Sequence, residues 1–298
     1  MNKLCFDIGG TAIKYALMSD EGEFIEKGNI PTPSDYEMAS MLNALKGIID
    51  KYNEKIDGIG FSLPGMMDSD TGFMYAGGAI KCFMQVNFFD LMKQITSLPV
   101  SIENDAKSAA LAEIGFGNLK VIKNGVLCIL GTGICGAIVI DGKLYKGTHF
   151  SAGEFSFINT KSSGKVEDWW AMGNSVPGFV SKVEKKLGYE QGPLDGIRVF
   201  ELIEEGNEIA NEEFNHYIDI LASQMINLQA IIDPEIILIG GGVSKQPLVK
   251  QRLIERIDEM QGNSFVKLPI HIDTCKFFND SNLVGALYNF QQRHPVNQ

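Results

Sequence analysis

Twice in this chain a run of strand-forming apolar residues is cut by glycines and then resumes, first in LCFDIGGTAIKYALM (4–18) and again in VLCILGTGICGAIVI (126–140). Glycine weakens a strand interior because it loses more backbone entropy on ordering than any other residue, so glycines here mark a tight turn between two strands. An acidic-Gly turn and a third strand-like segment follow each time. This predicts two antiparallel meanders, the first with strands at about 3–8, 12–18 and 22–29.

The remainder of each half continues alike. In YEMASMLNALKGIIDKY (36–52), Met38, Met41, Leu42, Leu45, Ile48, Ile49 and Tyr52 fall on one helical face, and IDGIGFSL behind it reads as a buried strand. A Pro-Gly break, a turn near 68–72 and a helix near 88–97 lead to the strand SIEN and the helix DAKSAALAEIGFG. The second half has long helices near 167–187 and 208–232, the strand EIILIG, three glycines at 240–242 and a further helix. Two β-β-β-α-β-α halves predict an α/β fold with an internal duplication. A chain of 298 residues has room for two domains. The linker candidate GFGNLKVIKNG (115–125) predicts lobes at 1–117 and 118–280, with the last helix in 281–298 returning to the first lobe.

Composition removes several function classes. A net charge of −11 without a Lys/Arg-rich run argues against a nucleic-acid partner. No apolar run approaches the roughly 18 residues that a membrane helix needs, and Asp7 with two glycines interrupts any leader, so a soluble, cytoplasmic protein is expected. The five cysteines form no CxxC pair, which predicts reduced thiols. Cys128, Cys135 and His149 match no metal-ligand spacing, and no structural metal is expected.

GTGICG (131–136) has the letters of a dinucleotide fingerprint, but AIVIDG behind it is strand-like, where that motif requires a helix. Glycines between strands can still hold phosphate, because a turn without Cβ atoms lets backbone N–H groups converge on an anion. Gly9, Gly10 and Thr11 would then pair with Gly131, Thr132 and Gly133. Asp7 is placed to hold a hydrated Mg²⁺. Gly240–Gly242 open a turn that suits a flat base or ribose. In SIENDAKS a strand delivers Asn104 and Asp105 to a helix start; one of them suffices as a cap, and an aspartate there can take the proton of an attacking alcohol.

In this order and spacing, DIGGT, SLPG, ENDA, GTG, SAGE and GGG resemble the ROK (repressor, open reading frame, kinase) sugar kinases of the actin-like ATPase superfamily over nearly the whole chain. The resemblance implies a two-lobed actin-like (ribonuclease H-like) fold, with ATP between the lobes and γ-phosphate transfer to a sugar hydroxyl, usually at C6. It implies Asp105 as general base, Asn104 and Glu154 as sugar ligands, and Gly65 as a backbone position of the sugar site, with Gly78 and Ala79 as further candidates. The glycine turns hold the phosphates, Gly241 and Gly242 fall on the adenosine side, and a homodimer is expected.

Two departures from that pattern bear on the substrate. Family members commonly carry a histidine after the GE pair and a cysteine-rich zinc motif, whereas this chain has Phe157 and TKSSGKVEDWW in those places. The expectation is a zinc-free loop held by Phe155, Phe157, Trp169 and Trp170. Loss of the imidazole removes a hydrogen bond to a free anomeric hydroxyl, which matters less when that oxygen is substituted. The pattern resembles the bacterial β-glucoside kinases and favours a substrate such as cellobiose. The alternatives are a free hexose, an N-acyl hexosamine, or a non-catalytic sugar sensor; a sensor would need an additional DNA-binding region before residue 4.

Overall fold

In the computed structural model, which describes residues 1–35, 37–190, 192–262 and 264–295, both glycine turns join antiparallel strands. Tyr36, where the first helix was expected to begin, and residues 296–298 of the C-terminal segment lie outside the described residues. The chain divides into two compact units. The first contains Met1–Val121, Lys146–Ala152 and the segment from Asn279; the second contains Ile122–Tyr145 and Gly153–Phe278.

The first unit begins with β1 (Asn2–Ile8), β2 (Ala12–Met18) and β3 (Phe24–Pro31), followed by α1 (Met38–Tyr52) and β4 (Ile56–Leu63). A small antiparallel sheet comes next: β5 (Met66–Asp68), β6 (Phe73–Ala76) and β7 (Val86–Asn87). Then come α2 (Phe88–Met92), β8 (Val100–Asn104) and α3 (Asp105–Phe116). The main sheet has the order β3-β2-β1-β4-β8, antiparallel across β3, β2 and β1 and parallel from β1 to β8.

The second unit repeats this with β9 (Gly125–Leu130), β10 (Ile134–Ile140) and β11 (Lys143–Tyr145). It continues through α4 (Ala171–Asn174), α5 (Val176–Leu187), α6 (Gly196–Glu204), α7 (Glu208–Ile232), β12 (Ile236–Gly240), α8 (Pro247–Gln261) and β13 (Ile272–Thr274). Its sheet order β11-β10-β9-β12-β13 is the same permutation of third, second, first, fourth and fifth strands, with the same directions. The duplication inferred from the two glycine turns is therefore a duplication of topology.

Burial follows the periodicity. Met41, Leu45, Ile48, Ile49 and Tyr52 of α1 are buried beside Leu4, Phe6 and Phe61, and the Phe6 and Phe61 rings stack at 4.8 Å. Each such side chain contributes about 1.5–3 kcal/mol when fully buried. The C-terminal helix α9 (Ser281–Arg293) packs on α3 within the first unit, where a Cβ on Gly285 would lie 1.8 Å from the Ser108 carbonyl oxygen. Burial pushes the Cys128 thiol up to about 12, so it packs as a neutral group. Among the described residues no helix is long and apolar enough to cross a membrane.

Two helices differ from expectation. The helix near 88–97 is only α2, Phe88–Met92. The helix expected over 167–187 is divided: a 3₁₀ turn at Val166–Asp168 and the distorted turn α4 precede α5, which starts at Val176 with Pro177 in its first turn. Proline lacks the N–H that an interior helical position must donate, so it begins a helix far more readily than it continues one.

Candidate active site

In the first unit the sugar-side candidates converge. Asn104 Oδ1 accepts the Lys107 N–H at 3.2 Å as the cap of α3, while its Nδ2 donates to the Gly65 carbonyl at 2.9 Å. Gly65 has φ 101°, and a Cβ there would stand 2.0 Å from Ala76 O and 2.8 Å from Gly78 N. Gly65, Gly78 and Asn104 thus form one close-packed cluster. Ala79 touches the phosphate turn, since a Cβ on Gly10 would meet its Cβ at 3.0 Å. Half-buried Asp105 opens α3 and accepts its neighbour's N–H, from Ala106, at 2.8 Å.

The Gly9–Thr11 turn is closed by Gly9 N–H donating to Ala12 O at 2.9 Å and braced by Thr32 Oγ1 donating to Gly9 O at 2.6 Å. Thr11 is exposed there. Asp7, 8% exposed, accepts from Lys14 Nζ at 3.2 Å and from Asn282 Nδ2 at 3.0 Å. A carboxylate offers about four lone-pair positions, so Asp7 keeps acceptor capacity for the waters of a hydrated Mg²⁺, with which its chemistry fits. Sequence reasoning missed Lys14 and Asn282. Lys14 was findable, because it stands directly opposite Asp7 in the hairpin register; Asn282, 275 residues away, leaves no local signal.

In the second unit Gly131 N–H donates to Gly133 O at 3.0 Å, closing the equivalent turn, and Thr132 is exposed. Gly131, Thr132 and Gly242 line one cavity of about 620 Å³. Its walls include Val176, Pro177, Ile197 and Phe200, and Lys245 and Gln246 lie on its border. An apolar slot with polar groups beside a glycine turn can take a heteroaromatic ring together with a phosphate chain. The three consecutive glycines divide in role: a Cβ on Gly241 would stand 2.1 Å from Leu130 O, whereas Gly242 has nothing within 4 Å. Gly241 is required by the chain, and Gly242 faces open space.

Glu154 is half-buried and precedes the 3₁₀ turn Phe155–Phe157, its backbone carbonyl accepting the Phe157 N–H at 3.2 Å. Of the aromatics expected to hold the following loop, Phe155 and Trp170 are buried, but Phe157 is 55% exposed and meets Trp169 edge-on at 5.0 Å. The loop is closed mainly by Asp168, whose Oδ2 accepts the Ser163 N–H at 2.7 Å and hydroxyl at 2.6 Å, and whose carbonyl accepts from Thr160 N and Oγ1. The Ser163 donors hold the Asp168 carboxyl below its usual range. Among the described residues no three His, Cys, Asp or Glu side chains are grouped to hold a metal ion.

A duplicated sheet with a glycine turn after the first strand of each unit, and a polar strand end in the first unit, supplies the parts that phosphoryl transfer uses. The ROK family profile matches residues 3–293, and the chain belongs to that family. It is 30% identical over 299 residues to the beta-glucoside kinase of Klebsiella pneumoniae, covering 98% of this chain and 97% of that one. It is 29% identical over 275 residues to the N-acetyl-D-glucosamine kinase of Vibrio atlanticus, covering 85% and 88%. A ROK family protein of Streptococcus pneumoniae solved with sucrose superposes with TM-score 0.89 at 28% identity, over 98% and 99%. The chain has the actin-like ROK fold and is an ATP-dependent carbohydrate kinase acting on a small-molecule sugar.

Proposed function

We propose that the substrate is a β-glucoside such as cellobiose, phosphorylated at the 6-hydroxyl of its non-reducing glucose in the cytosol. Asp105 takes the proton of that hydroxyl as its oxygen bonds to the γ-phosphorus, the bond from that phosphorus to the β–γ bridging oxygen breaks, and ADP leaves. Asn104 and Glu154 orient the sugar, the Gly9–Thr11 and Gly131–Gly133 turns hold the phosphates, and Gly242 borders the adenosine slot. Mg²⁺ held through water by Asp7 supplies charge neutralisation at the phosphate oxygens.

The observation that carries the β-glucoside reading is the exposed Phe157 ring, in the 3₁₀ turn that follows Glu154, packed edge-on against half-buried Trp169. An aromatic surface there, in place of an imidazole, offers stacking to a second ring and no hydrogen bond to a free anomeric hydroxyl. Similarity to a beta-glucoside kinase at 30% identity supports the same choice. An ADP-release assay across cellobiose, gentiobiose, glucose, mannose, fructose, N-acetylmannosamine and N-acetylglucosamine tests it. The disaccharides are expected to have the higher kcat/KM; a large preference for free glucose or an N-acyl hexosamine would sink the proposal.

A further inference from the structure

The residue before Asn104 is an acid buried at the end of β8. Glu103 is 1% exposed, and a carboxylate is rarely buried so fully without partners, because desolvation of the charge is costly. Its partners are specific. Oε1 accepts the backbone N–H of Asn104 at 3.0 Å, and Oε2 accepts the Ser69 hydroxyl at 2.9 Å and pairs with Lys146 Nζ at 2.7 Å. Lys146 also donates to the Ser69 hydroxyl, which closes a three-membered polar cluster.

Lys146 comes from far along the chain. It opens Lys146–Ala152, the segment that leaves the second unit's sequence to join the first. Ala152 N–H donates back to Lys146 O at 3.1 Å, so the segment is a tight loop. Phe150 stacks on Tyr75 at 5.8 Å and 23°, with φ 61°, a conformation that costs a bulky residue about 1–3 kcal/mol and persists only where surroundings hold it. The loop is thus fastened at Lys146 by charge and at Phe150 by stacking.

We infer that Lys146, Ser69 and Glu103 are positioning residues for phosphoryl transfer: Lys146 and Ser69 hold the Glu103 carboxylate, which fixes the Asn104 amide and so the orientation of Asn104 and Asp105. The inference rests on the reading of Asp105 as the base. Glu103 touches no substrate in this scheme. Its effect is geometric, and misplacement of a catalytic group by about 1 Å can cost on the order of 100-fold in rate.

The test is steady-state kinetics of Lys146→Met, Lys146→Arg, Ser69→Ala and Asp105→Ala in the full chain, with unfolding midpoints measured alongside. Lys146→Met is expected to lower kcat by about tenfold or more with KM for ATP within about twofold, and Lys146→Arg to recover most of the loss. If Lys146→Met does not fold, Ser69→Ala carries the test, with an expected fall in kcat of about threefold to tenfold. Parental kcat in folded Lys146→Met, or in Ser69→Ala where it stands in, overturns the inference. A fall in stability alone has the same consequence. Loss of turnover in Asp105→Ala with an unaffected Lys146→Met overturns the positioning role and leaves the base assignment standing; an active Asp105→Ala overturns both.

Discussion

Asp105 stands at the first position of a 12-residue helix, with Asn104 capping the same helix and clamping Gly65. One residue can cap, so the adjacent polar pair was a legible sign that the junction does more than start a helix. Asp105→Ala is expected to lower kcat by roughly 100-fold or more while the unfolding midpoint holds. Turnover within tenfold of the parent in an ADP-release assay would remove the base from this position. Glu103 was visible in the sequence only as an acid beside that pair. Its burial and its bond to Lys146 depend on an ion pair across 43 positions, for which local spacing carries no information.

At the scale of elements, the two meanders, α1, β4, α3 and α9 were readable because apolar periodicity and glycine turns act locally. The stretch 155–170 was not. Its aromatics suggested a packed loop, yet Phe157 is exposed and an aspartate does the fastening. Since donors at Ser163 lower the Asp168 pKa below its ordinary value of 3.8, the closure is fully present above that pH and is lost as pH falls through the lowered value. Both tryptophans of the chain lie here, so their fluorescence reports on this loop. The emission of Asp168→Asn at pH 7 is expected to match that of the parent in acid, with far-UV circular dichroism unchanged. Chelation by EDTA is expected to leave the parent emission as it is; a shift with EDTA would mean that a metal holds the loop.

For the whole molecule, the duplication was legible because each half carries the same strand grammar, and both sheets have the same strand permutation. Family resemblance leads to the proposal of a homodimer. Sedimentation equilibrium at micromolar concentration is expected to return about twice the 32.7 kDa chain mass, and a single-chain mass would refute it.

The repeated α/β topology, the glycine turns and the polar strand end are legible along the chain, since each is written in residues a few positions apart. What holds them comes from distant parts of the chain: Asn282 on Asp7, Thr32 under Gly9, and Lys146 on Glu103. A buried charge or an orphan carbonyl must find a partner wherever the fold brings one, and no rule of spacing says from where along the chain it will come.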